Sequence, residues 1–153
     1  MSNRWDRPGV PHKGWHLIRT DDIGEAEHTC EMCGQVEIRY VHEIRHPAHH
    51  PLLVGCVCAE RLTGDVESPK AAERRLKNLA RRRKKWVDEP WRVSRAGNEY
   101  RIVHGISIGV NPSRFHLGRW NWRIGGTFSY DLYADATAAK GGLFDEVERL
   151  KAS

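Results

Sequence analysis

Four cysteines constrain the fold of this chain more than any other feature. They form two close pairs, Cys30-Glu-Met-Cys33 and Cys56-Val-Cys58, and these are the only cysteines among the 153 residues. Paired thiols of this kind are typical of one tetrahedral zinc site with a structural role. We therefore expect one Zn²⁺ ion, bound by Cys30, Cys33, Cys56 and Cys58.

The short spacing of the second pair leaves the fourth ligand open. Two residues that are one position apart in an extended segment point to opposite faces. Cys56 and Cys58 can share one ion only if the chain turns between them, which Gly55 would permit. The alternative is that a histidine supplies the fourth ligand; the candidates are His46 or His42, followed by His49 and His50.

The order of the predicted elements is that of a treble-clef zinc finger. Residues 30–34 read as a zinc knuckle, residues 36–42 and 52–54 as two strands, and Cys58 as the start of a short helix that Gly64 stops. A knuckle directs backbone N–H groups toward thiolate sulfurs, and a helix N-terminus favours a negative charge. We predict a treble-clef-like zinc lobe over residues 14–66, preceded by a flexible arm over residues 1–13.

A strongly basic helix is predicted next, over residues 67–88. Ser68 and Pro69 suit its N-cap and first position. Between Lys70 and Lys85 there are nine Lys or Arg residues and one Glu, a local charge of +8, whereas the whole chain carries +5. A positive helix of this kind matches the phosphate spacing of nucleic acid. The candidate phosphate contacts are Lys70, Arg74, Arg75, Lys77, Arg81, Arg82, Lys84 and Lys85.

The last segment, residues 89–153, alternates like an antiparallel sheet and ends in a helix that begins after Asp135. In the segment from Arg119 to Ile124, the two tryptophans and the isoleucine share one face. We expect that face to pack on the final helix. Arg119 and Arg123 lie on the opposite face, where they can add nucleic-acid contacts. The fold class is α+β.

Three segments resemble a known family: Cys30-Glu-Met-Cys-Gly, Ile38-Arg-Tyr-Val-His and Val54-Gly-Cys-Val-Cys-Ala. They are similar to a family of small, functionally uncharacterised bacterial and phage proteins that resemble treble-clef zinc fingers. That family's pattern Val-Gly-x-x-Cys aligns with Val54, Gly55 and Cys58 and leaves Cys56 at a variable position. The part of the chain from Trp91 onward also resembles AP2-type DNA-binding modules in outline. The resemblance implies a two-lobed, zinc-bearing protein and implies no activity.

The leading interpretation is a non-catalytic, zinc-stabilised nucleic-acid-binding protein. One alternative is a protein-interaction module, an adaptor or inhibitor, whose basic helix binds an acidic partner. A metal-dependent nuclease would need a histidine such as His42 or His46 together with an acid on the following helix, where Glu60 is the candidate. The sequence has no membrane-spanning apolar run and no signal-peptide core, so we expect a cytoplasmic protein whose reduced thiols bind metal.

Overall fold

The computed structural model describes residues 3–153, which form an α+β protein with two antiparallel sheets and three α-helices. The helices are α1 (Cys56–Thr63), α2 (Glu67–Asp88) and α3 (Ala136–Ala152). The chain divides into two compact units, one ending at Leu79 and the other running from Ala80 to Ser153, and α2 contributes residues to both. In this described part of the chain, no helix combines the length and apolar character needed to cross a membrane.

The sheet of the first unit has three strands in the order β1-β2-β3: β1 (His16–Asp22), β2 (Tyr40–His46) and β3 (His49–Val54). β2 begins later than the alternating sequence predicts. Ile38 instead forms an isolated antiparallel bridge with His28. This bridge closes the loop that carries the first cysteine pair, so the chain ahead of β2 is used to build the knuckle.

The core of the first unit lies between this sheet, the knuckle and α1. Its largest buried side chains include Trp15, Met32, Ile44, Leu52 and Leu62, and Cys30 and Cys58 are buried among them.

Part of the segment predicted to be a flexible arm contacts this core. A short 3₁₀ turn, Arg4–Asp6, places the Arg4 backbone N–H 2.7 Å from the Met32 carbonyl oxygen. Trp5 packs against the core, and the Trp15 indole N–H donates to the Pro11 carbonyl oxygen at 2.9 Å.

The basic helix begins at Glu67, and its cap differs from the predicted one. Ser68 is a helical residue, and the Asp65 carboxylate accepts hydrogen bonds from the backbone N–H groups of Glu67 (3.0 Å) and Ser68 (2.9 Å). A carboxylate at this place satisfies N–H groups that lack a partner within the helix and suits the helix dipole.

The sheet of the second unit is a five-stranded meander in which each strand pairs with the next along the chain. Its strands are β4 (Arg92–Val93), β5 (Glu99–Val103), β6 (Ile106–Pro112), β7 (Trp120–Ile124) and β8 (Thr127–Phe128). The turn between β5 and β6 has two residues, His104 and Gly105, both with positive φ. This geometry matches the right-handed twist of the two flanking strands.

Helix α3 packs on β6 and β7 and is capped by Asp135, whose side chain accepts from the Ala138 N–H at 2.8 Å. The core between them contains Ile108, Val110, Ala139 and Leu143, with Trp120, Trp122 and Ile124 packed against it. The predicted orientation of the β7 apolar face is therefore confirmed.

Gly142 lies inside α3, where glycine is less favourable for the helix than alanine. A Cβ atom at this position would collide with the phenol ring of Tyr133. The glycine permits close approach of the Tyr133 ring to the helix.

The C-terminal end of α2 is held by an aromatic cluster of the second unit. The Trp86 indole N–H donates to the Lys140 carbonyl oxygen at 3.1 Å, and the Trp91 indole N–H donates to the Trp86 carbonyl oxygen at 3.2 Å. The Arg101 guanidinium lies 4.0 Å from the centre of the Trp91 ring. Burial lowers the pKa of Arg101, and the nearby Glu89 opposes this.

We predict that Leu143→Ala destabilises the second unit by about 2–5 kcal/mol, because it leaves a cavity in a fully buried site. Urea denaturation followed by tryptophan fluorescence measures the change. The matched control is Leu150→Ala in the same helix, where the side chain is 46% exposed; we expect it to cost less than about 1 kcal/mol. Equal losses in the two variants would contradict the described core.

Candidate metal centre and sheet groove

The sulfur atoms of Cys30, Cys33 and Cys58 lie within 4.8 Å of one another. The knuckle that carries the first two is closed by a hydrogen bond from the Gly34 N–H to the Cys30 carbonyl oxygen at 2.9 Å. Gly34 has φ of 82°, a left-handed conformation that glycine adopts without strain. Three convergent sulfurs on a closed knuckle can hold a metal ion.

The two residues between the knuckle cysteines attach it to the rest of the unit. Met32 is fully buried in the core. The Glu31 N–H donates to the Leu53 carbonyl oxygen at 3.0 Å, and the Glu31 carboxylate accepts from the Leu53 N–H at 2.8 Å. The knuckle is therefore fixed to β3 by a reciprocal pair of hydrogen bonds.

The surroundings of the Cys30 sulfur favour a negative charge. A hydrogen bond from the Cys58 thiol, assisted by the N–H groups of Cys33, Gly55 and Met32 and opposed by burial, lowers the pKa of Cys30. The same contact raises the pKa of Cys58, to which the Trp5 indole N–H also donates. A thiolate is the form that binds metal, so this donor set fits a thiophilic cation.

Cys56 does not join this group, which corrects the expected four-cysteine site. Helix α1 begins at Cys56 rather than at Cys58, with Gly55 as its N-cap residue. Residues two positions apart on a helix point about 200° apart, at about 100° per residue. Cys58 therefore faces the knuckle, while Cys56 lies within 4.8 Å of ligand atoms of His42 and Glu73.

This second cluster, His42, Cys56 and Glu73, is assembled by strand register and by two helices. His42 pairs with Thr20 of β1 and with Val54 of β3, and Cys56 opens α1 just after β3. Glu73 comes from α2. His42 is fully buried, its Nδ1 lies 2.8 Å from Thr20 Oγ1, and its Nε2 lies 3.0 Å from Glu73 Oε1.

The thiol of Cys56 has surroundings opposite to those of Cys30. It donates to Glu60 Oε1 at 3.4 Å. Burial is the main reason that the pKa of Cys56 is raised to about 12, and the nearby Glu73 and Glu60 carboxylates act in the same direction. In the absence of a cation this thiol keeps its proton.

The remaining histidine candidates lie at the β2–β3 hairpin. His46 accepts a hydrogen bond from the Ala48 N–H at 2.9 Å, and the rings of His46 and His49 lie 5.3 and 5.4 Å from the Trp15 ring. The ring of His50 lies 4.2 Å from that of His49. Within residues 3–153, no fourth His, Cys, Asp or Glu joins the group formed by Cys30, Cys33 and Cys58.

Most cations of the basic helix have acidic partners, some four positions away along the chain and others in distant segments. Six of its nine cations between Lys70 and Lys85 form ion pairs: Lys70 with Glu60, Lys77 with Glu73, Arg82 with Glu148, Arg83 with Asp145, Lys84 with Asp88 and Lys85 with Glu89. Arg81 also interacts with a neighbouring group. Arg74 and Arg75 are exposed and have no carboxylate partner in the described part of the chain.

The second unit has a groove of about 930 Å³. Of its lining residues, only Arg123 was among the nucleic-acid contacts predicted from the sequence. The groove lies on the face of β7 that carries Asn121 and Arg123, and it extends over the β6–β7 loop and the segment that follows β8. Its lining is Ala96, Asn98, Asn111, Pro112, Ser113, Arg114, Phe115, His116, Asn121, Arg123, Phe128, Ser129, Tyr130 and Leu132. Among the described residues this lining includes no Asp or Glu.

Three sets of hydrogen bonds hold the groove in shape. The Ser113 hydroxyl accepts from the His116 N–H at 3.2 Å, and the Asn111 and Asn121 side chains are joined by a 2.7 Å hydrogen bond. The Arg123 guanidinium donates to the Gly125 carbonyl oxygen at 3.0 Å and to Ser107 Oγ at 3.1 Å. Arg119 is exposed, but it does not line the groove.

Comparison with known proteins does not extend these observations. No protein-family model matches the sequence, and no curated protein or solved structure matches it. The resemblance to the bacterial and phage treble-clef family therefore stays a prediction, and the geometry alone supports the functional argument.

We predict that Cys58→Ser loses the metal held with Cys30 and Cys33, because it removes one of three sulfur ligands. Cobalt-substituted protein reports this loss through the intensity of its thiolate-to-cobalt charge-transfer absorption. The matched control, Cys56→Ser on the same helix, retains the absorption of the three-sulfur group. A Cys58→Ser variant with undiminished absorption would show that the ligand assignment is wrong.

Proposed function

We propose that this protein is a non-catalytic, zinc-stabilised nucleic-acid-binding protein that takes single-stranded nucleic acid into the groove of its second unit. The observation that carries the proposal is the combination of exposed aromatic rings and cationic side chains in a groove without acidic lining residues.

The aromatic residues of the groove are largely exposed to solvent. Phe115 is 89% exposed, Tyr130 is fully exposed and Phe128 is half-exposed. A cluster of large apolar side chains on a surface often marks a binding site. Aromatic rings beside cationic groups are the usual platform on which unpaired bases stack.

The polar groups of the groove suit the same ligand. Arg114 and Arg123 offer guanidinium groups to phosphates, and His116 lies in the same loop as Arg114. The paired amides of Asn111 and Asn121 offer hydrogen bonds to base edges. A double-stranded ligand would not expose its base faces to the rings, so a single strand fits better.

The basic helix is a secondary contact in this proposal. Arg74 and Arg75 are available to phosphates, while most neighbouring cations are paired with carboxylates. Exposed ion pairs of this kind contribute only about 0–1 kcal/mol each, so a phosphate can replace a carboxylate at little cost. The helix thus adds affinity without sequence preference.

Zinc is the metal that we propose for the first unit. Three convergent cysteine sulfurs favour a thiophilic ion, and the burial of Cys30 and Cys58 in the core supports a structural role for that ion. The order of knuckle, β2–β3 hairpin and α1 supports a treble-clef-like topology, with Cys58 in the first turn of the helix.

We predict that Phe115→Ala and Tyr130→Ala each weaken the binding of a fluorescent single-stranded oligonucleotide, measured by anisotropy. Loss of one stacked base costs about 1–3 kcal/mol, or about 5- to 150-fold in affinity. Both side chains are exposed, so thermal unfolding should not change.

Leu117→Ala is the matched control for these two variants. Leu117 is in the same loop and is 103% exposed, but it does not line the groove. Its affinity should equal that of the unaltered protein. If no DNA or RNA oligonucleotide binds at low salt, the proposal is wrong and an acidic protein partner becomes the better reading.

Salt dependence separates the groove from the helix. For single strands the slope of log K against log salt is about −0.7 per phosphate neutralised. Arg114→Gln should therefore make the slope shallower by about 0.7, and Arg74→Gln with Arg75→Gln should do so only if the helix contacts the same strand. An unchanged slope in Arg114→Gln would remove this arginine from the binding surface.

A further inference from the structure

The cluster formed by His42, Cys56 and Glu73 has the character of a second metal site. A nitrogen, a sulfur and an oxygen donor converge there from three different elements, β2, α1 and α2, with all three ligand atoms within 4.8 Å of one another. In a tetrahedral site with bonds of about 2.0–2.3 Å, ligand atoms are separated by about 3.3–3.8 Å. The cluster is therefore already close to the dimensions that one ion requires.

The histidine is oriented as metal-binding histidines are. Its ring is fully buried, and Thr20, opposite it in the β1–β2 ladder, holds Nδ1 at 2.8 Å. A hydrogen bond on one ring nitrogen that directs the other toward a metal is the usual outer-shell arrangement. When Nδ1–H donates to Thr20, the Nε2 lone pair points at the Glu73 carboxylate, and a cation between them makes that contact favourable.

The negative charges around the cluster also favour the binding of a cation. The carboxylates of Glu60 and Glu73 both approach Cys56 and are only 15% and 17% exposed. The ammonium nitrogens of Lys70 and Lys77 lie 3.7 and 3.6 Å from the carboxylate oxygens of Glu60 and Glu73, which is longer than a hydrogen bond. A simple buried histidine–carboxylate pair would not need a cysteine and a second carboxylate beside it.

We propose that His42, Cys56 and Glu73 bind a second metal ion, a divalent transition-metal ion of the Zn²⁺ class, at a site separate from the three-sulfur group. The mixed nitrogen, sulfur and oxygen donors differ from the all-sulfur donors of the first group, and three protein ligands leave a fourth position on a tetrahedral ion. Glu60, one helical turn after Cys56, lies beside the thiol and can accept a hydrogen bond from water bound at that position.

The test is the metal content of the full chain after equilibration with Zn²⁺ and removal of free ions. The unaltered protein should hold two ions per chain. Cys56→Ser and Glu73→Gln should each hold one, and Cys58→Ser should lose the other. Glu73→Gln preserves the shape of the side chain and its contact with His42, so it removes the charged ligand with little structural change.

Glu67→Gln is the matched control, because Glu67 is an exposed residue of the same helix; it should retain two ions. Stepwise titration of the unaltered protein with Co²⁺ gives a second measurement that does not depend on any variant. Two binding phases, with different thiolate charge-transfer intensities, support the proposal. One ion per chain in the unaltered protein, or full occupancy in both Cys56→Ser and Glu73→Gln, overturns it and leaves a metal-free histidine–glutamate hydrogen bond.

Discussion

The first unit depends on the angle between the side chains of two residues in one helix, Cys56 and Cys58. Because α1 includes both Cys56 and Cys58, the two thiols leave the helix in nearly opposite directions. One thiol completes the knuckle and the other meets His42 and Glu73. An extended segment would also separate the thiols, but only a helix that starts at Cys56 brings the positive end of its dipole to Cys58 as well. A single eight-residue helix therefore organises two chemically different clusters.

The two clusters differ in what surrounds each sulfur. The Cys58 thiol and backbone N–H groups donate to the Cys30 sulfur and favour its thiolate form. Carboxylates approach Cys56 and favour the protonated thiol. The first arrangement lies within the buried core of its unit. The second places a thiol beside two carboxylates.

Local patterns in the sequence predicted most of the regular elements, although β2 begins later and α1 earlier than expected. The approximate extent of the basic helix, the Asp135 cap and the inward face of β7 follow from capping chemistry and from periods of two and 3.6 residues, whereas the Asp65 cap of the basic helix was not predicted. Contacts between distant segments could not be predicted in this way. Glu73 reaches His42 across 31 positions, and Asp145 reaches Arg83 across 62, so neither the second cluster nor the ion pairs between α2 and α3 are visible in a local window. The groove was not predicted because two of its aromatic rings, Phe115 and Tyr130, lie in segments without periodicity.

The hydrogen bonds of Arg123 have a consequence for the energetics of recognition. An arginine on a surface normally moves among many rotamers and loses that freedom when it meets a ligand, at a cost of about 0.5–1.5 kcal/mol. Here the guanidinium is already fixed by Ser107 and Gly125 before any ligand arrives. Its side-chain entropy is therefore lost when the chain folds and not when the ligand binds. An anion that enters the groove would therefore meet a preorganised donor at Arg123 and an exposed arginine without such hydrogen bonds at Arg114, so the two arginines would differ in how sharply they discriminate the position of a phosphate.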